Sequence, residues 1–320
     1  MLATLVGLSG RCDSITGMDL IGAGLEPLAG GHSGETFLAE VAGERTVVRI
    51  YAGRGATRGP EAPEVDAAVL ALVRGLAPVP EVLEVRRADP ESGLPGLLVT
   101  SHLDGTRLDA LLPDLDDDMA AVVGDRLGRV VARLAQMPML RAGMFVDAEL
   151  RCVPMPAEAR DLLAWVSTHL EGTALAAWSA EDREQLMAVA ERAQQLADSV
   201  RRTCLVHSDL NPKNVLVDPA TGAVTGLVDW EFAHAGSPFS DLGNLLRFDR
   251  RPAFAEAVEA AYRTHVVDAP ADLLDQARAA DLWALVDLAA RAGSNPVADR
   301  AHDQLLAITR TGDLHAVATR

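Results

Sequence analysis

Apolar residues follow two different periods along the 320 residues of this chain. In the first part they form short runs, such as 46–51 and 96–100, which predict β-strands. From Leu108 onward they recur every three or four positions over long stretches, which predicts amphipathic helices. The pattern therefore predicts a small sheet-rich part followed by a larger helical part. We expect helices at 61–73, 119–137, 157–178, 180–200, 252–265, 270–292 and 298–309, with an irregular segment at 138–156.

One stretch of the helical part departs from this pattern. Over 205–217 an apolar run leads into a polar loop and a second apolar run leads out of it. A third run, 226–228, ends on Asp229. The simplest interpretation is strand, loop, strand, turn, strand. The loop then presents Asp209 and Asn214, and the third strand places Asp229 beside them.

These three side chains have the chemistry that phosphoryl transfer requires. An Asp carboxylate can accept the proton of an acceptor hydroxyl, and Asp and Asn oxygens are hard ligands for Mg²⁺. The spacing His-x-Asp-x-x-x-x-Asn, followed by an Asp at the end of a strand, is that of kinase catalytic loops. We therefore expect Asp209 to be the catalytic base and Asn214 and Asp229 the metal ligands, with His207 packed inside the loop. The alternative is a β-hairpin whose polar residues only form turns.

The segments 207–217 and 227–233 resemble the aminoglycoside phosphotransferase family, which comprises small-molecule kinases related to choline and homoserine kinases. Ser208 precedes the Asp where protein kinases have Arg, and Trp230-Glu231 follows Asp229 where they have Phe-Gly. The resemblance implies an α+β, two-lobed protein-kinase-like fold. Its small mixed β-sheet lobe would be 1–104, and its larger, mainly helical lobe 105–320.

The same resemblance implies the reaction and the nucleotide contacts. The γ-phosphoryl group of ATP or GTP would pass to a hydroxyl of an aminoglycoside or other antibiotic, which would give resistance, or of a metabolite. The phosphates would be covered by a glycine-rich turn, and a cation on the following strand would contact them, with an acid on the next helix holding that cation. The base would bond to backbone groups of the hinge between the lobes. These positions are Gly30, Gly31, Ser33 and Gly34, Arg49, Asp66, and Ser101 and Leu103.

Two alternatives stay open at this stage. Glu64 rivals Asp66 as the partner of Arg49, because both lie on the same predicted helix. A non-catalytic nucleotide-binding module is favoured only by the Arg at position 49, where most kinases have Lys. A protein kinase is disfavoured, because eleven residues between Asp229 and Asp241 leave no room for a long activation segment.

Composition limits the partners. The chain carries 29 basic and 46 acidic side chains, a net charge of −17, which argues against nucleic acid and anionic membranes as partners. The charge would suit a cationic acceptor, although an acidic surface that only aids solubility explains it equally well. Three distant cysteines predict neither a disulfide framework nor a zinc site, so a reducing cytoplasm is expected. We do not expect the N-terminal residues to be a signal peptide, and no apolar run predicts a membrane-spanning helix.

Overall fold

A computed structural model describes residues 26–28, 36–41, 44–52 and 58–318. These residues form two compact units. Unit 1 contains the described residues of Met1–Ala71 together with Pro80–His102 and Asp147–Glu149. Unit 2 contains Leu72–Val79, Leu103–Val146 and the described residues of Leu150–Arg320. No helix in the described part of the chain has the length and apolar character needed to cross a bilayer.

Unit 1 is built on an antiparallel sheet. Alternate residues of its strands are buried, and Phe37, Val48, Ile50 and Val99 form its apolar core. The described strands lie in the order β1-β2-β3-β5-β4. Their bounds are Glu26–Pro27 for β1, Thr36–Val41 for β2, Glu44–Tyr51 for β3, Val82–Arg86 for β4 and Gly96–Ser101 for β5, and helix α1 (Ala62–Val73) begins in this unit.

Unit 2 is mainly helical. Its helices are α2 (Leu108–Leu111), α3 (Asp117–Ala135), α4 (Ala157–Arg160), α5 (Leu162–His169), α6 (Ala180–Ser199), α7 (Ser240–Leu245), α8 (Pro252–His265), α9 (Leu273–Ala290) and α10 (Pro296–Thr311). Helices α5, α6, α9 and α10 share one apolar core. Helix α3 packs on α8 at Gly124 and Gly128, where an added Cβ would meet the carbonyl oxygens of Phe254 and Val258. These glycines let the two backbones approach closely.

Two small antiparallel sheets surround the segment with the candidate catalytic residues. One has the order β11-β10-β6 and the other β8-β7-β12-β9. Strand β9 leads into the segment, β10 leads out of it, and β11 leads to Asp229. The bounds are Thr106–Arg107 for β6, Gly143–Phe145 for β7, Cys152–Val153 for β8, Cys204–Val206 for β9, Val215–Val217 for β10, Val224–Leu227 for β11 and His234–Gly236 for β12.

The α+β class predicted from the sequence is confirmed, with a sheet-based unit and a helical one. The single helix predicted at 157–178 is wrong. The chain breaks at Asp161, whose extended backbone and side chain cap α5, and again at Gly172, which has a left-handed φ of 68°. The segment 138–156, expected to be irregular, contains β7 and β8. The division at 104/105 stays a prediction.

Candidate active site

A buried carboxylate holds the catalytic loop, which we define as residues 207–214. Asp241, at the start of α7, accepts the backbone N–H groups of His207 at 2.9 Å and of Ser208 at 2.8 Å. Ser208 has a left-handed φ of 68°, a conformation that costs free energy in a non-glycine residue. Burial raises the pKa of Asp241, while the two amides and His207 oppose that rise. The loop backbone is therefore fixed from α7.

His207 ties this loop to the end of β11. Its Nδ1 accepts the N–H of Asp209 at 3.3 Å, so Nε2 carries the proton and donates to the carbonyl of Val228 at 3.0 Å. The N–H of Val228 donates in turn to the carbonyl of Asn214 at 3.0 Å. The indole of Trp230 packs 4.4 Å from the imidazole, measured between ring centres. These bonds fix the backbone just before Asp229.

The carboxylate of Asp209 is held by three neighbours on the same loop. Its Oδ1 accepts from Asn211 Nδ2 at 2.7 Å. Its Oδ2 accepts from Asn214 Nδ2 at 2.8 Å and lies 3.2 Å from Lys213 Nζ. A carboxylate oxygen has two lone pairs, and among the described residues only Asn211 donates to Oδ1. That oxygen can therefore still accept a proton from a bound hydroxyl.

The two predicted metal ligands carry hard oxygen atoms, and Asn214 lies next to this carboxylate. Asn214, 5% exposed, donates its Nδ2 to Asp209, which leaves its Oδ1 to face a cation. Asp229 follows Val228 with a left-handed φ of 64°. The described residues contain no group of three or more His, Cys, Asp or Glu able to hold a metal ion. The oxygen atoms of Asn214 and Asp229 have the chemistry that Mg²⁺ prefers, since this ion usually binds one or two protein oxygens together with phosphates and water.

In unit 1, Arg49 lies on β3 beside a buried polar cluster. Its guanidinium carbon is 5.4 Å from the centre of the Tyr51 ring. Asp66, 4% exposed on α1, accepts from Tyr51 Oη at 2.6 Å and from both terminal nitrogens of Arg58 at 2.6 and 2.8 Å. Burial and the Asp66 charge raise the pKa of Tyr51. Burial alone would lower the pKa of Arg58, but Asp66 raises it. Asp66 thus lies near Arg49 and already binds two other side chains.

The rival acid, Glu64, forms an ion pair with Arg87 at 2.9 Å, and both side chains are about a third exposed or more. It belongs to a surface pair, whereas Asp66 belongs to the buried cluster near Arg49. The geometry therefore favours Asp66 as the acid that supports Arg49.

The predicted hinge has most of its amides engaged. The N–H of Ser101 donates to the carbonyl of Glu81 at 2.8 Å, and its Oγ accepts the N–H of Glu81 at 2.9 Å. The N–H of His102 donates to the carbonyl of Arg45 at 3.2 Å. Leu103, the other predicted position, lies over Gly226 of β11 within unit 2. The predicted glycine-rich turn, Gly30, Gly31, Ser33 and Gly34, lies outside the described residues.

Four contacting residues were not predicted. Asn211 and Lys213 both contact the carboxylate of Asp209, and Tyr51 and Arg58 both contact Asp66. Asn211 precedes a proline and therefore looked like a turn residue, so its hydrogen bond to Asp209 was not predicted. Tyr51 was detectable in principle, because it stands two positions after Arg49 and so shares its face of the strand. Arg58 follows a loop, and no spacing rule links it to the helix.

Comparison with known proteins identifies the architecture. The GDP complex of wild-type aminoglycoside 2'-phosphotransferase-IIIa aligns with a TM-score of 0.66 at 18% identity, over 97% of this chain and 98% of that one. The AMP-PNP and hygromycin B complex of a thermostable mutant of aminoglycoside phosphotransferase APH(4)-Ia aligns with a TM-score of 0.62 at 20% identity, over 90% and 94%. The GDP and kanamycin complex of APH(2")-IIIa gives 0.67 at 17%, over 98% and 100%. At these identities the likeness shows the fold, which confirms the predicted kinase-like class.

No curated protein matches this chain in sequence. The model of the phosphotransferase enzyme family, APH, matches residues 24–279, which include the whole catalytic loop and Asp229. That match covers well over half of the chain and contains both segments that carried the resemblance. The chain belongs to the APH phosphotransferase enzyme family, as its catalytic-loop sequence predicted.

Proposed function

We propose that this protein transfers the γ-phosphoryl group of ATP or GTP to a hydroxyl of a small molecule. The hydroxyl oxygen forms a bond to the γ-phosphorus while the bond from that phosphorus to the β–γ bridging oxygen breaks, releasing a nucleoside diphosphate. Asp209 receives the hydroxyl proton. The observation that carries this proposal is the Asp209 carboxylate, held by Asn211 and Asn214 with lone-pair capacity left on Oδ1.

The nucleotide is held by residues that the sequence predicted and whose role stays a proposal. Asn214 and Asp229 supply the protein oxygens for Mg²⁺, which when bound neutralises charge on the phosphate oxygens. The guanidinium of Arg49 contacts the phosphates, and Asp66 supports it through the buried cluster in unit 1. The glycine-rich turn Gly30, Gly31, Ser33 and Gly34 covers the phosphates, and backbone groups at Ser101 and Leu103 bind the base.

The acceptor is a small polar molecule. The structural neighbours were solved with hygromycin B and kanamycin, so an aminoglycoside or another antibiotic is the first candidate, with resistance as the consequence. The alternative is a metabolite kinase of the choline or homoserine type. The reaction belongs in a reducing cytoplasm, since both cysteines in the described part of the chain are free thiols. A non-catalytic module is disfavoured by the ordered contacts around Asp209.

The test is nucleoside diphosphate release in a coupled assay against a panel of antibiotics and small hydroxylated metabolites, with a protein substrate included. For Asp209→Asn we expect kcat to fall by about 10²–10⁴-fold while the nucleotide Kd stays unchanged, because the variant removes a general base. Asp125→Asn, which alters an exposed helix-surface pair with Arg129, is the matched control and should keep full activity. A kcat near wild type in Asp209→Asn would contradict the assignment of the base.

A further inference from the structure

One buried carboxylate of unit 2 pairs with an arginine and acts electrostatically on two others. Arg247 forms a bidentate ion pair with Asp281, with Nε–Oδ2 and Nη2–Oδ1 distances of 2.8 and 2.6 Å, and both residues are 6% exposed. Asp281 also acts electrostatically on Arg250 and Arg278. We call Arg247, Arg250 and Arg278 the arginine cluster.

Two members of the cluster have no carboxylate partner among the described residues. Arg278 donates Nη1 to the carbonyl of Leu246 at 2.5 Å, and Arg250 donates Nη1 to the carbonyls of His315 and Ala316 at 2.5 and 3.1 Å. The Nε atom of each is buried without a hydrogen-bond partner. Taking a guanidinium out of water without an anion beside it costs several kcal/mol. Arg250 and Arg278 therefore each hold a buried Nε–H group that no described residue accepts.

The electrostatics of the cluster agree with that geometry. Burial lowers the pKa of Arg278 to about 10, and the charge of Arg250 adds to the fall. Burial also lowers the pKa of Arg250, on which Asp313 and Arg300 act with opposite signs. Other carboxylates therefore act on the cluster as well, and what it lacks is an acceptor for the Nε–H groups of Arg250 and Arg278.

The cluster lies close to the catalytic loop. Arg247 follows α7, the helix whose Asp241 holds that loop. Burial tends to lower the pKa of Arg247, but Asp281 and, more weakly, Asp209 outweigh burial and raise it. The carboxylate of Asp209 is therefore within electrostatic range of the cluster. A ligand bound there would occupy the same part of unit 2 as the catalytic base.

We propose that the arginine cluster binds a carboxylate or phosphate group, and that this group belongs to the acceptor whose hydroxyl is phosphorylated. The guanidinium nitrogens match both kinds of anion, since Arg presents a planar fork of donors. Such an acceptor fits the metabolite alternative of the proposed function rather than its aminoglycoside candidate. The second half of the proposal rests on the proposed function, whereas the anion site itself does not.

The anion site is tested by calorimetric titration of the full chain with inorganic phosphate and with acetate, without nucleotide or metal. Saturable binding is expected, weakened roughly tenfold or more in Arg278→Gln, which removes one charge-assisted contact. Arg129→Gln, at an exposed arginine of α3, is the matched control and should bind as wild type does. Absence of binding would overturn the proposal. Loss of binding in Arg49→Gln but not in Arg278→Gln would assign the anion to the predicted nucleotide site and overturn it too.

A second variant protects this test against misfolding. Should Arg278→Gln fail to give a cooperative thermal transition, Arg250→Gln is titrated instead, with the same expected loss. Arg278→Lys, which keeps the charge but loses the planar fork, should bind acetate more tightly than the Gln variant does. Equal binding by the Lys and Gln variants would show that the charge at this position does not act on the anion.

A kinetic arm identifies the source of the anion. Diphosphate release is compared for hydroxycarboxylic acids, for amides of the same carbon skeletons and for polycationic amino sugars. The acids should be preferred, and Arg278→Gln should raise their KM about tenfold while the nucleotide KM is unchanged. Equal use of acid and amide would overturn the assignment to the acceptor. Absence of release with every compound would count against the proposed function, and the titration would still decide the anion site.

Discussion

At the scale of single residues, the site depends on how firmly one carboxylate is oriented. Asp209 accepts a hydrogen bond from Asn211 on Oδ1 and one from Asn214 on Oδ2, and Oδ2 also pairs with Lys213. All three partners lie within five positions of it. A general base must hold its lone pair towards the proton that it removes, and small displacements are costly in rate. The donors around Asp209 therefore matter for turnover even though they exchange no proton.

Asn211 offers the sharpest test of this orientation. Asn211→Ala should lower kcat about tenfold, because one neutral or charge-assisted hydrogen bond to Asp209 is worth roughly 1–2 kcal/mol. The nucleotide KM should not change, since the Asn211 side chain donates to Asp209, while its contact with the predicted metal ligand Asn214 is made by the backbone carbonyl that the Ala variant keeps. Diphosphate release under saturating nucleotide measures both. Asn295→Ala removes a helix cap of α10 and is the control, with lower stability and unchanged kcat. An unaltered kcat in Asn211→Ala would refute the positioning role.

His234 predicts a pH dependence of stability. Burial lowers its pKa below the usual 6.5, and its Nδ1 faces the carbonyl of Phe232 at 3.0 Å. Below that usual value the unfolded chain binds a proton that the folded chain resists, so stability falls as the pH drops through about 6.5. The fall in Tm between about pH 7.5 and about pH 5.5 should be smaller in His234→Asn, which keeps the donor and loses the titration. Equal falls in both proteins would exclude His234 as a contributor.

Single residues differ in whether the sequence predicts their contacts. The spacing of Asp209, Asn214 and Asp229 was readable because all three residues lie in one continuous stretch of short strands and loops, 204–229. The cluster of Tyr51, Arg58 and Asp66 was not, because its members meet only once the sheet and helix have packed. The helix-borne acid was predicted in type, but its observed hydrogen-bond partners were not.

At the scale of elements, helix α7 connects the catalytic loop to helix α9. Gly243 of α7 faces α9 so closely that an added Cβ would overlap the carbonyl oxygen of Ala277 and lie 2.9 Å from Asp281 Cβ. The same short helix carries Asp241, which holds the amides of His207 and Ser208. The distance between α7 and α9 therefore sets the position of the loop.

Gly243→Ala tests this coupling. Forcing the two backbones apart should cost about 1–3 kcal/mol of stability. It should also lower kcat, because Asp241 moves with α7. Gly128→Ala is a matched control, since its added Cβ makes a similar clash with Val258 of α8 rather than with α9. Urea unfolding should show both variants destabilised, and diphosphate release should show only Gly243→Ala impaired. Equal activity of the two folded variants would contradict the coupling.

Elements differ in how well the sequence predicts them. The helices expected at 180–200 and 252–265 correspond to α6 and α8 within one residue. Each is long enough to show its apolar period over several turns, which makes it readable from the sequence. The stretch 157–178 has a similar apolar content, but caps at Asp161 and Thr173 divide it. Strand β12, three residues long, has too few positions to show a period and exists through pairing with β7 and β9.

At the scale of the whole molecule, the fold was predictable and the acceptor was not. The catalytic-loop motif identifies a fold that is shared with proteins at 17–20% identity. The proposed anion site takes its side chains from separate segments, Arg247 after α7 and Arg278 on α9, which no single motif contains. The net charge of −17 suggested a cationic acceptor as one interpretation. The proposed anion site depends instead on the Nε–H groups of Arg250 and Arg278, which no described residue accepts.

The central claim is that Asn214 and Asp229 hold the metal of a bound nucleoside triphosphate beside Asp209. Calorimetric titration of wild type and Asp229→Ala with ATP and with GTP, each with Mg²⁺ and with a chelator, tests it without knowledge of the acceptor. Wild type should bind one nucleotide more tightly with Mg²⁺, and Asp229→Ala should bind it equally with and without the metal, at the metal-free affinity of wild type. Metal-dependent binding that survives in Asp229→Ala would contradict the account.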